Sequence, residues 1–550
     1  MVMFEGVVPW PDDFARMYRG RGYWAGVTLG EAFDQSVQEN SDRIAVVDGK
    51  RRVSYRELGA LVDRFALHLV EREISGGKRI VFQLPNVLEF IVAYFACLKV
   101  GAIPLTCLPA HRQAEIEYLA RFTDAAAWFI PSTFRNFDYV AMAEELRDKL
   151  PLLREIFVVG ERAGRGMTRV ADLLDDAIEN RVPPKSLEGL RPDPDAPAVF
   201  QLSGGTTGLP KVIPRTHNDY LYNSKQFAAV TDFDRETVIL ITVPIAHNFP
   251  LACPGIQAAL LLGARVVLAP SPDPVTVFSL VQTERVTWIP AVPASVITWL
   301  ADSRRAHYDL TSIKTLIVGG SRLHAEPARL AREAFGPVVA QVYGMAEGLL
   351  CCTRSGDPVE AILETQGRPA SPDDETKIVD DDGKEVAPGE IGELLCRGPY
   401  TIRGYYKAED YNRTAFTPDG FYRTGDLVRR HPSGNLIVEG RKKDTINRGG
   451  EKISAEEVES LILTHPAVLN AAVVAIPDAV LGERACACVV LKPGAALSLE
   501  DLGRFLREEK RIARFKLPER LEILDRLPTT AVGKISKKDL REEVRKKLTG

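Results

Sequence analysis

Neither sign of charge is in excess: 70 Lys and Arg face 74 Asp and Glu over 550 residues, a formal net charge of −4. A surface field able to hold nucleic acid or an anionic bilayer is therefore not expected. C-x-x-C pairs are absent. The eight cysteines are scattered through apolar runs, which argues against a zinc or disulfide framework and for reduced thiols. The opening Met1-Val2-Met3-Phe4-Glu5 lacks a basic segment leading into an apolar core, so no secretion signal is expected. Long uninterrupted apolar runs are missing too. The most apolar stretch, residues 90–109, contains Lys99, Gly101 and Pro104 and reads as a buried helix, a turn and a strand. These absences predict a soluble cytoplasmic protein, monomeric or homodimeric, with no membrane or nucleic-acid partner. No repeat of fixed period stands out.

What is present is an ordinary globular composition, 45% hydrophobic and 26% charged, in a chain long enough for two or more domains. Aromatics and prolines near the start (Pro9, Trp10, Pro11, Tyr23, Trp24) suggest an arm packed on a larger body. From Ser54 onward, helical patterns (residues 55–73 and 87–99) alternate with short apolar runs. Those runs fall at 78–84, 102–105, 128–130, 155–159, 265–268 and 315–318. This alternation predicts an α/β body of parallel sheets covered on both faces. Near residue 376 the pattern changes to strand–turn–strand signals, at 377–383 and 434–439, as in an antiparallel, barrel-like meander. After the polar segment 440–450 a small α+β unit begins. Ser454-Ala455-Glu456-Glu457 reads as a capping box ahead of Val458, Leu461 and Ile462; strands near 471–476 and 485–491 and a charged helix at 499–509 follow. The expected units are residues 1–442 and a small mobile domain, 443–550.

The most informative stretch follows the apolar run 196–200: Ser203-Gly204-Gly205-Thr206-Thr207-Gly208-Leu209-Pro210-Lys211. Its glycines, hydroxyls and lysine suit a loop that wraps polyphosphate oxygens. It is not the G-x-x-x-x-G-K-[ST] loop, because Leu209 and Pro210 precede the lysine and Val212 follows it. Taken alone it could equally be a flexible surface turn. Four further clusters accompany it: Gly319-Gly320-Ser321 at the end of an apolar strand, Val342-Tyr343-Gly344-Met345-Ala346-Glu347, Tyr422-Arg423-Thr424-Gly425-Asp426 with Arg441 beyond, and Lys534 in a loop near the C-terminus. Singly, the glycines could be turns and Asp426 a cap. Lys534 could belong to a solvated basic tail (Lys537, Lys538, Arg541, Lys546, Lys547).

In this order and at these separations the motifs resemble the adenylate-forming superfamily of acyl- and aryl-CoA synthetases, peptide-synthetase adenylation domains and luciferases. The resemblance implies ATP and Mg²⁺ as cofactors and a role for each matched position. Residues 203–211 would close over the β- and γ-phosphates. Gly319, Gly320 and Tyr343 would enclose adenine, with Ser321, Val342, Gly344, Met345 and Ala346 along the same nucleotide site. Glu347 would hold the metal. Asp426 would accept from the ribose hydroxyls beside Arg441. Lys534 would contact the carboxylate and the α-phosphate, with His247 a further catalytic candidate, and Lys443 would be the hinge.

The acid pocket is read from Ala246-His247-Asn248-Phe249-Pro250-Leu251-Ala252-Cys253. Asn248 can donate to and accept from a ring hydroxyl ortho to a carboxylate; it can also simply cap a helix starting at Pro250 or later. His-Asn-Phe-Pro-Leu, with Pro9-Trp10-Pro11, Gly22-Tyr23-Trp24 and Gly344–Leu349, resembles the aryl-acid-activating subfamily that begins siderophore synthesis. Its acids are salicylate and 2,3-dihydroxybenzoate. Cys253 and Leu350 match the salicylate pattern, since a thiol pairs poorly with a ring 3-hydroxyl and Leu350 narrows the slot. The thiol acceptor implied is the phosphopantetheine arm of a separate aryl carrier protein. The alternative is an aryl-CoA ligase, for which Arg448 and Lys452 could form a basic patch. A catalytically idle nucleotide-binding scaffold is a further reading, and intact Lys534, Glu347 and Asp426 argue against it. An oxygenase of the luciferase type would share the adenylation motifs, and nothing in the sequence specifically supports it.

Overall fold

The computed structural model describes residues 4–203, 210–449, 451–478, 480–530 and 532–549. A nine-stranded sheet runs in the order Arg368–Pro369, Leu350–Cys352, Val339–Gly344, Thr315–Val318, Trp288–Ala291, Val238–Ile241, Arg265–Leu268, Ile44–Asp48, Arg51–Ser54. From Val339–Gly344 across to Ile44–Asp48 every pair is parallel. A seven-stranded sheet runs Val212–Thr216, Pro197–Leu202, Ile103–Thr106, Arg79–Phe82, Ala125–Pro131, Glu155–Val159, Thr168–Arg169. It too is parallel except for its first pair.

The short apolar runs form these strands because both sheet faces are covered, so no polar alternation is needed. One core joins the sheets, with Phe82 and Phe129 on one side and Val46, Ile239 and Val266 on the other. The helix Leu88–Val100 within that core is buried on nearly every face, which is why its sequence is apolar all round. Tyr55–Glu71 begins where Ser54 and Glu57 form a reciprocal cap.

The region read as barrel-like is a four-stranded antiparallel meander, Glu375–Val379, Gly392–Arg397, Tyr422–Arg430, Leu436–Arg441. Beyond it stands a five-stranded sheet. Val468–Asp478 and Gly482–Leu491 form its long hairpin, Arg520–Ile523 pairs in parallel with the latter, and Ile446–Arg448 with Glu451–Ile453 completes the other side. Helices Ala455–Ile462 and Lys537–Thr549 pack on this hairpin.

Three details depart from the sequence reading. Ser454 caps its helix by accepting from the Glu457 amide, but the Glu457 carboxylate turns to Lys516, 2.7 Å away, so the capping box is only half formed. The charged helix at 499–509 is α-helical over Leu499–Arg504 and widens to a π turn over Phe505–Glu509. The basic tail is not merely solvated: Lys537 pairs with buried Glu459 at 2.8 Å and Arg541 with Asp444. Among the described residues no helix is long and apolar enough to cross a membrane.

Candidate active site

Gly204, Gly205, Thr206, Thr207 and Gly208 lie outside the described residues, but the base of their loop is well defined. The Ser203 amide donates to the Lys211 carbonyl at 2.9 Å, and the Lys211 amide donates to Ser203 Oγ at 3.0 Å. Pro197–Leu202 and Val212–Thr216, the strands on either side of this segment, are antiparallel. The Lys211 ammonium lies 4.0 Å from the Tyr411 ring and 5.8 Å from that of Tyr405, held by the rings' negative faces.

Tyr405 links this lysine to Glu347. Its hydroxyl donates to buried Glu347 at 2.7 Å and sits 2.9 Å from the Tyr422 hydroxyl. Burial first, and the carboxylate second, raise the Tyr405 pKa, so it remains a donor. The preceding carbonyl, of Ala346, accepts from fully buried Arg215 at 3.0 Å, and Arg215 also meets Asp219 at 2.8 Å. The Gly344–Glu347 turn is thereby tied down from below. Among the described residues no three potential metal ligands cluster. A lone carboxylate with one oxygen on Tyr405 fits Mg²⁺, which takes one or two protein carboxylates and fills its shell with water and phosphate.

At the end of Thr315–Val318 the backbone comes close to its neighbours. A Cβ on Gly319 would fall 2.3 Å from Val342 Cγ1, and Gly320, at φ +87°, places its Cβ position 3.0 Å from Lys534 Cε. Only glycine permits both. Ser321 is solvent-exposed. Tyr343 donates to one oxygen of Asp426 at 2.7 Å, and Arg441 Nε lies 2.9 Å from the other. Each oxygen keeps a lone pair for a further donor.

Lys534 enters this space on a tight hairpin, in which Thr529 bridges Ile535, the Thr530 amide donates to the Lys534 carbonyl at 2.6 Å, and Gly533 abuts Val292. Burial, reinforced by Arg441, lowers the Lys534 pKa to about 8, while Asp426 and Glu347 pull the other way. His247 faces the same ammonium; burial first and Lys534 second push the imidazole down to about 3.

His247, not Asn248, caps the helix Asn248–Ala252: its Nδ1 accepts the Phe249 amide at 3.3 Å. The capping alternative for Asn248 is therefore corrected. A neutral ring whose Nδ1 accepts carries its proton on Nε2, leaving an N–H donor. Asn248 is free for other work. Its Oδ1 accepts from Tyr220 at 2.6 Å and its Nδ2 donates to Cys253 Sγ at 3.2 Å. Burial raises the Cys253 pKa to about 12, so this is an un-ionised thiol and not a nucleophile. Phe249 lies 3.5 Å from the Cβ position of Gly319, and Leu350 2.5 Å from that of Gly344.

Of the expected residues, the structure places Gly320, Arg441, Asp426, Glu347 and His247 near Lys534. Absent from the sequence reading were Arg215, Tyr220, Asn223 and Gln201, which build the polar floor under the acid loop, and Tyr405 and Tyr411, which hold Glu347 and Lys211. A run of polar residues in the helix His217–Val230 was the one available signal. Of the possible basic patch, Arg448 is bonded to Glu519 at 2.7 Å, which offsets its charge.

Fold and site together define a class, an α/β ligase in two parts whose C-terminal unit lends one lysine to a cleft on the larger body. The chain belongs to the AMP-binding enzyme family, whose model matches residues 33–406, with the AMP-binding enzyme C-terminal domain matching 457–534. It is 46% identical to the 2,3-dihydroxybenzoate-AMP ligase of Bacillus subtilis, over 99% of both chains. It is 48% identical to a salicylyl-CoA synthase / salicylate adenylyltransferase of a Streptomyces species, over 99% of this chain and 98% of the other. The salicyl-AMP ligase / salicyl-S-ArCP synthetase of Mycobacterium tuberculosis is 44% identical, over 97% and 94%. Among solved structures, apo MbtA of Mycobacterium smegmatis superposes with a TM-score of 0.75 at 44% identity, over 98% and 99%.

Proposed function

We propose that this ATP-dependent ligase activates salicylate to salicyl-AMP and pyrophosphate, then passes the aryl group to the phosphopantetheine thiol of a separate aryl carrier protein, in the cytoplasm and for siderophore synthesis. The observation that carries the reading is the pairing of Asn248 with Cys253 on one buried loop whose cap, His247, faces Lys534. The amide addresses an ortho hydroxyl, the thiol offers little to a 3-hydroxyl, and the carboxylate end is left beside the ammonium. The names of the relatives support both salicylate and 2,3-dihydroxybenzoate, and the pocket chemistry favours the former.

In the first step a carboxylate oxygen attacks the α-phosphorus and the bond to the pyrophosphate oxygen breaks. Two anions must approach, and charge grows on the phosphoryl oxygens. The Lys534 ammonium neutralises it, a contribution of about 2.7–4 kcal/mol for one well-aimed donor. His247 Nε2–H holds the carboxylate. Residues 203–211 hold the terminal phosphates, Asp426 the ribose and Tyr343 the adenine. Mg²⁺, held by Glu347, would supply charge neutralisation on the phosphates. In the same reading Lys443 is the hinge between residues 1–442 and 443–550, and swinging the latter withdraws Lys534 and admits the thiol.

The test is pyrophosphate exchange with a panel of aryl acids. Salicylate should exceed 2,3-dihydroxybenzoate roughly ten- to hundred-fold in kcat/KM; equal rates would overturn the assignment. The second reading, an aryl-CoA ligase, draws on the salicylyl-CoA synthase name of the Streptomyces relative. Offering salicyl-AMP to coenzyme A and to a carrier protein in parallel separates the two.

A further inference from the structure

The floor of the acid pocket contains a one-way chain of hydrogen bonds. Gln201 Nε2 donates to the Tyr220 hydroxyl at 3.2 Å, so that hydroxyl spends its own proton elsewhere, on Asn248 Oδ1 at 2.6 Å. Tyr220 is wholly buried, with the Arg215 guanidinium 4.4 Å from its ring centroid. Its backbone carbonyl accepts from Gln257 at 3.0 Å. Neither ring nor hydroxyl can turn without breaking one of these contacts.

A carboxamide whose oxygen is pinned by a donor has its NH₂ end pinned as well. One Asn248 N–H goes to Cys253 Sγ; the other has no protein acceptor among the described residues. Resting on the aryl-acid reading above, we propose that Tyr220, oriented by Gln201, is a positioning residue for specificity. It fixes Asn248 as a donor, so that the pocket selects aryl acids whose ortho substituent can accept.

The chemistry discriminates between near-isosteres. In salicylate the ortho hydroxyl proton is bonded internally to the carboxylate, which leaves the hydroxyl oxygen's lone pairs facing outward. In 2-aminobenzoate one N–H is bonded internally and the second faces outward, while the nitrogen lone pair is delocalised into the ring. The first presents an acceptor to Asn248, the second another donor. A free carboxamide could flip to suit either; one held by Tyr220 cannot.

The experiment compares salicylate, 2-aminobenzoate and benzoate in pyrophosphate exchange by the wild type, Tyr220→Phe, Asn248→Ala and the double variant. Wild type should prefer salicylate to 2-aminobenzoate, and Tyr220→Phe should narrow that ratio by at least about tenfold. The narrowing should arise in the aryl-acid KM, with the KM for ATP unchanged. On the Asn248→Ala background Tyr220→Phe should leave the ratio unmoved, because Tyr220 acts through that amide. A ratio preserved in Tyr220→Phe, or an equal loss for all three acids including benzoate, overturns the proposal. Should Tyr220→Phe not fold, Gln201→Met keeps the hydroxyl but removes its orienting donor and must narrow the ratio too; an unchanged ratio overturns the proposal equally. If the wild type activates no ortho-hydroxy acid, the functional reading falls and takes this one with it. If the wild type selects salicylate and the variants select it just as well, only this inference falls.

Discussion

At the residue scale the site turns on a lysine that burial has made a weaker base. The Lys534 pKa is lowered to about 8 from the ordinary 10.5, so the docked loop binds fewer protons than the withdrawn one. Docking is therefore favoured as pH rises from about 8 towards 10.5. Catalysis needs the proton and moves the opposite way. The kcat/KM for adenylation, which reports the free enzyme, should fall as pH rises through about 8. Lys534→Arg, whose cation does not titrate there, should show a lower but flat profile over the same range; a parallel fall would assign the titration elsewhere. Lys534→Ala should lose roughly 10²–10³ in adenylation rate while transferring preformed salicyl-AMP normally. Cys253 carries a second prediction. Cys253→Ser supplies a hydroxyl where a ring 3-hydroxyl would lie, and should shift the preference towards 2,3-dihydroxybenzoate by roughly tenfold. Competition between the two acids in one exchange assay measures it directly, and an unchanged ratio removes Cys253 from the pocket's selectivity.

At the element scale, the site is built on a helix that looks unremarkable in the sequence. Parallel strands such as Glu155–Val159, Arg265–Leu268 and Thr315–Val318 were legible to the residue, because an apolar run buried on both faces has little else to become. The helix His217–Val230 was not. Its first eight residues are all buried, polar His217, Asn218, Asp219, Asn223 and Ser224 included. With both faces buried, helical periodicity carries no signal, and the partners of Asp219 and Tyr220 come from 3 to 28 residues away. For the same reason the motif order marked Glu347 and Asp426, whereas Tyr405 and Arg215, which hold the Glu347 turn, belong to no motif. Arg215 shows what that costs to disturb. Arg215→Ala strands the buried Asp219 carboxylate and leaves the Ala346 carbonyl without its donor. Breaking such a pair costs about 3–5 kcal/mol. Urea denaturation should show that loss with an unchanged m-value, and the KM for Mg-ATP should rise because the turn carrying Glu347 loosens. Stability within 1 kcal/mol of wild type, on the order of a surface pair, would mean that solvent or another cation reaches Asp219.

At the scale of the whole molecule, the orientation seen here is, on the function proposed above, the one that would serve adenylation, since Lys534 lies beside Gly320 and within the field of Asp426 and Glu347. Few bonds hold it. Ser454 Oγ donates to the Glu439 carbonyl at 2.7 Å and the Lys534 hairpin rests on Val292 through Gly533. Arg541 on the last helix reaches Asp444, on its own side of the hinge candidate Lys443, and so acts on the hinge segment without bridging to the larger body. The swing proposed above requires that residues 443–550 not be anchored by a large apolar surface, and these contacts are polar or small. Arg541 is about one-third exposed, so its pair with Asp444 contributes at most about 1 kcal/mol. That is still enough to bias two orientations of similar energy. Arg541→Ala should therefore slow salicyl-AMP formation roughly two- to fivefold and leave transfer from preformed salicyl-AMP to the thiol equal or faster, with thermal stability little changed. The opposite signs are the useful part. A folding defect depresses both half-reactions together, whereas an orientation that has lost one of its clasps trades the first for the second. Equal losses in the two would show that Arg541 braces the small sheet itself and not its docking.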